Sequence, residues 1–367
     1  MIRVLQFGLS RYLGGIEANL LRFVEHMDRN SIHVDFLVFG EGEPIYYHEL
    51  RALGCEFIYV HSSRILNHGK YKQEIRKAIT DGNYDLIHCN LNSMSPFETA
   101  YIASRLGKPV ILHSHNANCV YSLKTRALHK LGKLMLSGGN YTRIAVSEEA
   151  GRYMFGDHPF RVIGNGVDVD RFRYDEKARN ELRNELHIGD REAIIHIGAF
   201  RSQKNHAFLI RTFLEYLKIR PDSVLLLVGD GELESGLKEM VRDQGIADKV
   251  MFLGRRDDVP ELLSAADKFC FPSKYEGFGN AVCEAEASGL ICVASDEIPA
   301  PVAVGDLCVR LPLSLGPREW AEVLASAGHV HPRTECGQMV TAAGLDVDTE
   351  MEKLRACYAE ALGDTQK

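Results

Sequence analysis

The sequence predicts an α/β protein built from two doubly wound, Rossmann-like domains, each with a parallel sheet covered by helices on both faces. Short and nearly continuous apolar runs alternate with helical segments along the chain, a pattern typical of such sheets. The alternation pauses once, over residues 162–192, where turn residues and a highly charged helix interrupt it. The length of 367 residues also agrees with two domains of about 100–200 residues each.

The first half of the chain predicts six strands separated by helices. Residues 16–26, 70–82 and 95–107 have the pattern of helices, and Gly107 with Pro109 marks the end of the third. The apolar runs that predict strands are residues 2–8, 33–40, 56–60, 85–90, 109–115 and 143–147.

The second half repeats this pattern after a joint near residues 165–190. In open α/β sheets, ligands bind beyond the carboxyl ends of the strands. With two such domains, we expect the site in the cleft between them. The predicted strands are residues 193–198, 223–229, 249–254, 268–273 and 291–296, and residues 307–312 are a candidate for the last one.

Composition and charge exclude several classes of protein. The chain has 43 Lys and Arg against 50 Asp and Glu, a formal charge of -7, which argues against a nucleic-acid coat because such domains are strongly basic. No apolar run reaches the roughly 18–20 residues of a membrane span, and the opening MIRVLQFG has no feature of a secretory signal. The nine cysteines show no C-x-x-C or metal-type spacing, so we expect a cytoplasmic protein without a disulfide framework.

A basic stretch lies between Glu98 and Glu148, where seven Lys and Arg residues occur without any acidic residue. Residues 123–136 in this stretch are predicted to form a helix with Leu128, Leu131 and Met135 on one face. One interpretation is a helix packed on the core with a solvated basic face. The other is a surface that contacts anionic lipid headgroups or a phosphate-bearing acceptor. The residues assigned to that surface are Lys124, Arg126, Lys130 and Lys133.

The most informative segment for chemistry is PSKYEGFGNAVCEAEASG, residues 272–289, which runs from a predicted strand through a loop into a helix. Glycines let the backbone approach a ligand, and a helix N-terminus offers N–H groups and a positive dipole end to a diphosphate. Glu284, about one turn into the helix, is expected to accept hydrogen bonds from the hydroxyls of a ribose. The other residues expected at this site are Glu276, Gly277, Phe278, Gly279 and Asn280, with Asn280 as the helix N-cap.

Two carboxylates beside a phosphate site indicate a ligand that has both hydroxyls and phosphates, as a nucleotide sugar has. The segment IIHIGAFRSQKNHAFLIRTF adds Arg201 and Lys204 at the turn after a predicted strand. These cations would neutralise the charge that grows on a diphosphate leaving group. Alternatively, the two carboxylates and the two cations are ordinary surface residues of loops and helices. The Gly-rich turn at 225–240 lacks G-x-G-x-x-G, which argues against a dinucleotide-binding dehydrogenase.

Two segments of the first half complete the set of candidate site residues. Gly14 and Gly15 follow the first predicted strand and are candidates to contact the same phosphates through backbone N–H groups. His115 and Asn116 come at the end of a strand and are expected to contact the transferred sugar or the acceptor. His113 and His115 also have the spacing of a metal-binding pair, but no acidic residue lies nearby, so no metal is expected.

These segments resemble the retaining nucleotide-sugar glycosyltransferases of the GT-B fold, particularly the group that builds bacterial capsular polysaccharides and exopolysaccharides. The resemblance runs essentially the whole length, and the E-x7-E block with the Q-K-N turn and the N-G-V-D linker is specific in combination. The segments that carry it are GGIEANL, LHSHNAN, IAVSEEAGRYMFG, VIGNGVDVDRF, FRSQKNHAFLI, LLLVGDGELE, VMFLGRRDDVPELLSAADKFCFPSKYEGFGNAVCEAEASG and ASDEIP.

The resemblance implies an acceptor-binding domain over residues 1–168, a donor-binding domain over 169–349, and a last helix within 350–367 that crosses back to the first domain. It further implies that Glu284 holds the donor ribose, Lys204 binds the diphosphate and Glu276 contacts the donor sugar. Gly15 would lie against the phosphates and His115 near the reacting carbon. The base would stack near residues 255–259. Transfer would retain the anomeric configuration without a metal or other cofactor, by front-face attack assisted by the leaving phosphate.

Three departures from the family pattern bear on these roles. Ala199 stands where the family often has Arg, and Arg201 is the candidate to replace it. Gly164 stands where Pro usually precedes N-G-V-D, which is expected to loosen the hinge. G-F-G-N-A replaces the more apolar run of the capsular group, so the sugar preference is not carried over.

The sequence thus predicts a cytoplasmic, membrane-peripheral glycosyltransferase that moves a sugar from a nucleotide sugar, expected to be a UDP-sugar, to a saccharide or a lipid-linked saccharide. One alternative is a nucleotide-sugar epimerase or hydrolase with the same fold, for which the basic stretch would have no acceptor role. The other is a non-catalytic subunit that binds the nucleotide sugar, an interpretation that Ala199 keeps open.

Overall fold

The computed structural model describes residues 1–12, 14–118 and 122–363. The chain divides into two compact units, which are treated separately below. Unit 1 comprises Met1–Asn165 together with Val347–Lys367, and unit 2 comprises Gly166–Asp346. Each boundary lies three residues before the predicted one, at 165 rather than 168 and at 346 rather than 349.

Unit 1 contains a seven-stranded parallel sheet in the order β3-β2-β1-β4-β5-β6-β7. The six predicted strands are all present, because each is a run of apolar residues that the sheet buries on both faces. The two-residue β7 was missed, since both of its residues are exposed. The strands are β1 (Ile2–Phe7), β2 (Ile32–Phe39), β3 (Phe57–Val60), β4 (Leu86–Leu91), β5 (Val110–Ser114), β6 (Thr142–Ala145) and β7 (Arg161–Val162).

The helices of unit 1 connect successive parallel strands, and two of them begin with a side-chain cap. Ser122 accepts a hydrogen bond from the N–H of Thr125, and Ser147 from that of Ala150, so each serine stabilises the first turn of a helix. These helices are α1 (Gly15–His26), α2 (Tyr47–Ala52), α3 (His68–Asp81), α4 (Glu98–Arg105), α5 (Leu123–Met135) and α6 (Glu148–Phe155).

Unit 2 contains a six-stranded parallel sheet in the order β10-β9-β8-β11-β12-β13. All the predicted strands are present, including the candidate last strand at 307–312. They are β8 (Glu192–Ile197), β9 (Ser223–Val228), β10 (Val250–Gly254), β11 (Lys268–Phe271), β12 (Ile291–Ser295) and β13 (Cys308–Leu311). The helices are α7 (Glu176–Glu185), α8 (His206–Ile219), α9 (Glu234–Asp243), α10 (Val259–Ala265), α11 (Asn280–Ala287), α12 (Pro317–Ser326) and α13 (Arg333–Ala342).

The last helix, α14 (Val347–Gly363), belongs to unit 1 although it follows unit 2 in the chain, as the resemblance implied. Val347, Met351, Leu354, Cys357 and Tyr358 pack into the core of unit 1 with residues of α1 and β2. Burying five such side chains stabilises the docked helix, at about 1.5–3 kcal/mol for a large apolar side chain. Residues 364–367 of the predicted crossover segment lie outside the described residues.

Helix α5 corrects the sequence prediction about which face is packed. Gly132 is buried against Met94, so closely that a Cβ on Gly132 would lie 2.0 Å from the Met94 carbonyl oxygen. The neighbouring His129 accepts a hydrogen bond from the Met94 N–H through Nδ1, at 3.1 Å. Because α5 docks through this small residue, Leu131 and Met135 are 44% and 38% exposed, and of the two interpretations left open for this helix the one in which they pack on the core is wrong.

Two further expectations can be compared with the described residues. Eight cysteines are buried as free thiols, and Cys119 lies outside the described part of the chain. No helix within residues 1–12, 14–118 and 122–363 is long and apolar enough to cross a membrane.

The topology determines where functional groups gather in each unit. In unit 2 the strand order reverses between β8 and β11, since β9 follows β8 on one side and β11 pairs with it on the other. In unit 1 the same reversal occurs between β1 and β4. Loops that leave the carboxyl ends of the two strands at such a point diverge and form a crevice where ligands bind.

Candidate active site

The central feature of unit 2 is an ion pair between Lys204 and Glu276 at the carboxyl ends of β8 and β11. Lys204 Nζ donates to Glu276 Oε1 at 2.7 Å, and both side chains are largely buried, 19% and 8% exposed. The ammonium group also lies 4.6 Å from the centre of the Phe271 ring. The topology thus brings together two charged residues that are 72 positions apart in the chain.

The turn that carries Lys204 is hydrogen-bonded to the loop that carries Glu276. Ser202–Lys204 forms one 3-10 turn, and the Gln203 side chain donates to the Tyr275 carbonyl at 2.9 Å. In return the Lys274 N–H donates to the Gln203 carbonyl at 2.8 Å. These two hydrogen bonds hold the turn and the loop together, and thereby keep Lys204 and Glu276 next to each other. Sequence reasoning did not identify Gln203, because its role depends on a carbonyl of a distant loop.

The glycine loop before α11 is buried and enters the helix through a left-handed residue. Gly277, Phe278 and Gly279 are all buried, and Gly279 takes φ +102°, a conformation that favours glycine. Gly279 is therefore the N-cap, and α11 begins at Asn280. The prediction of Asn280 as N-cap is wrong by one position. The first N–H groups of α11 remain a suitable contact for an anion.

Helix α11 carries two carboxyl groups in different environments. Glu284, the residue predicted to hold the ribose, is half-buried at the end of the first turn. Glu286 is fully buried and accepts a hydrogen bond from the Val304 N–H at 3.0 Å. Burial raises the pKa of Glu286 to about 8, against its ordinary 4.5. Of these two carboxyls, only Glu284 is accessible to a ligand.

Two buried histidines support the turn beneath Lys204. The His196 ring donates from Nδ1 to the Cys270 carbonyl at 2.9 Å and meets the His206 ring edge to face, with centroids 4.6 Å apart. Burial lowers the pKa of both histidines, that of His206 to about 4, so both are neutral near pH 7. Arg201, at the start of the turn, is exposed, and Ala199 lies between Gly198 and the buried Phe200.

The Gly-rich turn after β9 packs closely on this same segment. A Cβ on Gly229 would come within 2.3 Å of the Gly198 carbonyl oxygen, so only glycine allows this approach. Asp230 on this turn pairs with Arg255 after β10, with 2.7 Å between Oδ2 and Nε. The segment in which the base is expected to stack therefore lies at the carboxyl edge of the sheet that also carries Lys204.

In unit 1, Gly14 and Gly15 form the N-terminus of α1. Gly14 is the N-cap in an extended conformation, and Gly15 is the exposed first residue of the helix. The buried Glu17 accepts a hydrogen bond from Ser10 Oγ at 2.7 Å, and its carboxylate lies where a Cβ on Gly14 would be 2.7 Å away. A side chain at position 14 would therefore displace the Glu17 carboxylate.

His115 follows β5 and is held in the interior of unit 1. It is 9% exposed, and its Nε2 lies 2.9 Å from Asn90 Oδ1 at the end of β4. Burial lowers the pKa of His115 to about 3, so the ring is neutral. Its ring lies against that of His113, with centroids 4.0 Å apart and the planes tilted by 40°. Asn116, half-buried, is the next residue of the loop.

The candidate residues therefore form one group in each unit. Unit 2 combines Lys204, Glu276 and the N-terminus of α11 at one sheet edge, and unit 1 presents the N-terminus of α1 and the His115 loop. The described residues contain no cluster of three His, Cys, Asp or Glu side chains that could hold a metal ion.

Two family models match the chain, one in each half. The model described as Glycosyltransferase Family 4 matches residues 13–171. The model described as Glycosyl transferases group 1 matches residues 178–307, which include both Lys204 and Glu284.

Individual proteins extend this match over most of the chain. EpsF of Bacillus subtilis (strain 168), assigned as a glycosyltransferase, is 33% identical over 335 residues, 87% of this chain and 85% of EpsF. The UDP-Gal:alpha-D-GlcNAc-diphosphoundecaprenol alpha-1,3-galactosyltransferase of Escherichia coli is 28% identical over 235 residues, 60% of each chain. The solved structure of Anabaena Alr3699/HepE in complex with UDP and glucose shares the fold, with a TM-score of 0.81, 20% identity and 98% and 100% of the two chains covered. By its sequence match to EpsF, its two family models and its fold, the chain belongs to the group 1 glycosyltransferases of the GT-B fold.

Proposed function

We propose that this glycosyltransferase takes a sugar from a UDP-sugar and transfers it, with retention of configuration, to a saccharide or lipid-linked saccharide in cell-surface polysaccharide biosynthesis. The observation that carries the proposal is the buried Lys204–Glu276 pair beside the N-terminus of α11. A cation, a carboxylate and a helix N-terminus at one sheet edge match a ligand with both a diphosphate and hydroxyl groups.

Each group at this edge has a role in that chemistry. Lys204, with Arg201 nearby on the same turn, binds the diphosphate and neutralises the charge that grows on it as the C1–O bond breaks. Glu276 accepts hydrogen bonds from the donor sugar, and Glu284 from the ribose. The backbone of residues 277–280 adds N–H donors. Because cationic side chains supply the neutralising charge, we propose that transfer needs no metal.

The groups of unit 1 are assigned to the phosphates and to the reacting sugar. Gly14 and Gly15 offer backbone N–H groups to the phosphates. His115 and Asn116 contact the transferred sugar or the acceptor. In the proposed front-face attack, the acceptor hydroxyl bonds to C1 on the side that the phosphate leaves, and its proton passes to the leaving phosphate oxygen.

The choice of UDP and of a lipid-linked acceptor is supported by the relatives. The Anabaena protein is described in complexes with UDP and with UDP-glucose, and the Escherichia coli relative is named for a UDP-Gal donor and a diphosphoundecaprenol-linked acceptor. Exopolysaccharide synthesis is the pathway that we propose for this transfer, and capsule synthesis is the related alternative.

Helix α5 supports the proposal that the enzyme associates with the inner face of the cytoplasmic membrane. Leu123 and Leu134 are 82% and 71% exposed, and they accompany exposed basic residues on this helix. An exposed helix with both apolar and basic residues is suited to anionic lipid headgroups. Lys133 does not join this surface, because its Nζ donates to the Tyr153 carbonyl at 3.0 Å. The surface residues are Lys124, Arg126 and Lys130.

A transfer assay tests the proposed reaction directly. The purified protein is incubated with a panel of UDP-sugars and lipid-linked saccharide acceptors, with and without EDTA, and the product linkage is determined by NMR. The proposal predicts a product that keeps the donor's anomeric configuration and forms equally well in EDTA. An inverted product would overturn the retaining assignment. Tight UDP binding without any turnover would favour a non-catalytic binding subunit instead.

A further inference from the structure

A hydrogen-bonded network of polar side chains lies in the interior of unit 1 and ends at His115. It connects the adjacent strands β1, β4 and β5 with the last helix, α14. Such buried polar groups are costly unless they are satisfied, so the network constrains the hydrogen-bonding role of every member. Its members, all at most 9% exposed, are Gln6, His88, Asn90, His113, His115 and Tyr358.

One backbone carbonyl determines the orientation of Asn90. The side-chain nitrogen of Asn90 lies 3.0 Å from the Phe7 carbonyl oxygen and 2.7 Å from Gln6 Oε1. A carbonyl oxygen only accepts, so the group facing it is the amide NH2, and the other end of Asn90 is its oxygen. That oxygen faces His115 Nε2 at 2.9 Å. His115 Nε2 must therefore carry the hydrogen and donate it to Asn90.

The same logic continues from Asn90 through Gln6 to the last helix. Since Gln6 Oε1 accepts from Asn90, its Nε2 donates, and it lies 3.1 Å from the Tyr358 hydroxyl and 3.2 Å from His88 Nδ1. The Tyr358 hydroxyl donates to His88 Nδ1 at 2.8 Å. His88 Nδ1 is thus an acceptor and its Nε2 a donor, which lies 3.2 Å from His113 Nδ1.

The backbone of Asn90 is closely packed against the end of β1. Gly8, which follows β1 with φ +126°, packs on Asn90, and a Cβ on Gly8 would lie 2.6 Å from the Asn90 carbonyl oxygen. The ends of β1 and β4 are therefore pressed together at this residue, and the amide of Asn90 has little freedom to turn.

We propose that Asn90 is a positioning residue that holds the His115 imidazole in its Nε2–H tautomer and leaves Nδ1 as a hydrogen-bond acceptor. Nδ1 of His115 is buried and has no donor among the described residues. A neutral ring with a free lone pair accepts from a hydroxyl and repels a phosphate oxygen. Because Nδ1 is buried, the ring must become accessible when a ligand binds, and the group assigned to it is then a sugar or acceptor hydroxyl. This conclusion rests on the proposed function, whereas the tautomer itself does not.

The test measures the tautomer and the reaction separately. The full chain is labelled with 15N-histidine, and long-range 1H–15N correlation spectra are recorded near pH 7.5 without substrate, with the His115 signals assigned from a His115→Gln variant. The wild type is expected to show one neutral ring protonated at Nε2. A ring protonated at Nδ1, or an even mixture of tautomers, overturns the proposal, and the tautomer is read from the wild-type protein itself.

The variants then test the positioning role. Asn90→Ala is expected to give a tautomer mixture and to lower kcat about 10–100-fold, the loss typical of residues that orient a functional histidine, with a smaller change in KM for the donor. Tyr358→Phe is the matched control, because it removes a buried hydroxyl of the network while Asn90 keeps its bond to Phe7. Its His115 tautomer is expected to stay unchanged.

The outcomes separate this inference from the proposed function. A wild type with the Nε2–H ring but no sugar transfer would contradict the function and leave the assignment of Asn90 to the tautomer in place. A wild type that transfers sugar, together with an Asn90→Ala variant whose tautomer and kcat are unchanged, would overturn the positioning role.

Discussion

At the scale of single residues, Lys204 illustrates how neighbouring groups hold a buried charge in place. The ammonium group has lost much of its hydration, and Glu276 and the Phe271 ring replace it. A bound diphosphate would add two further oxygen acceptors around the same cation. Lys204 is thus held in place before the ligand arrives, which lowers the entropic cost of binding.

We predict that Lys204→Ala weakens UDP binding about 10–150-fold, because a buried charge-assisted hydrogen bond contributes on the order of 1.5–3 kcal/mol. The matched control is Lys274→Ala, which removes an exposed lysine from the neighbouring loop. Its affinity should stay within about twofold of the wild type. Equal losses in the two variants, measured by isothermal titration calorimetry, would mean that only the overall charge of the loops matters.

Glu286 contributes a pH dependence of stability that is separate from the site. Because burial raises its folded pKa to about 8, the folded protein keeps a proton that the unfolded chain releases above about 4.5. The contribution of Glu286 to the free energy of unfolding should therefore fall as pH rises between those values, by at most about 1.4 kcal/mol per pH unit.

Glu286→Gln is expected to remove this contribution. It is best measured as the difference in slope between wild type and variant from pH 6.5 to 8, because the buried histidines, which ionise near 6.5 in the unfolded chain, contribute equally to both proteins. Urea unfolding of wild type and variant gives the comparison. Glu297→Gln, at an exposed glutamate of the same unit, is the control and should keep the wild-type slope. Equal slopes in the wild type and in Glu286→Gln would contradict the buried, protonated state of Glu286.

At the scale of elements, α5 is the helix for which pattern and structure disagree most. The spacing of its leucines allowed the interpretation that they form a packed face. In the structure, Gly132 brings the helix backbone against Met94, and the leucines are turned outward. A glycine in the middle of a helix carries no hydrophobic signal, so no periodicity analysis would identify this contact. The basic residues Arg126 and Lys130 remain exposed as expected, whereas Lys133 is drawn to a carbonyl of α6.

We predict that Lys124, Arg126 and Lys130 changed together to Glu abolish sedimentation with vesicles that contain anionic phospholipid. About 1 kcal/mol of attraction is lost for each basic residue near such a surface, and repulsion replaces it. The control changes Lys72, Arg76 and Lys77, three exposed bases of α3, to Glu with the same change in net charge. If both triple variants sediment equally, α5 is not the contact surface.

Gly164, which departs from the family pattern, contributes to the attachment of the last helix. Its N–H donates to Glu350 at 2.8 Å, a bond that proline cannot make, and this bond ties the end of the first segment of unit 1 to the start of α14. The expectation of a looser hinge considered only the backbone freedom of glycine. The added hydrogen bond opposes that freedom.

At the scale of the whole molecule, the fold could be predicted from the sequence, and so could the sheet edges at which the candidate site residues lie. Strand order is regular in doubly wound sheets, so the turn with Lys204 and the loop with Glu276 were expected to meet. Contacts that join backbone carbonyls to distant side chains were not predictable in this way. The link from Gln203 to Tyr275 and the network from His115 to Tyr358 form only if the atoms are placed to within a few tenths of an ångström. Residue spacing in the sequence does not specify positions at that precision.

The central claim, that this chain binds a uridine nucleotide sugar without a metal, is tested most directly by calorimetric titration. UDP, GDP and several UDP-sugars are each titrated into the full chain with and without Mg²⁺. The account predicts that UDP binds, that it binds more tightly than GDP, that Mg²⁺ leaves its affinity unchanged, and that one UDP-sugar is preferred. Absence of UDP binding, or binding that requires Mg²⁺, would contradict it.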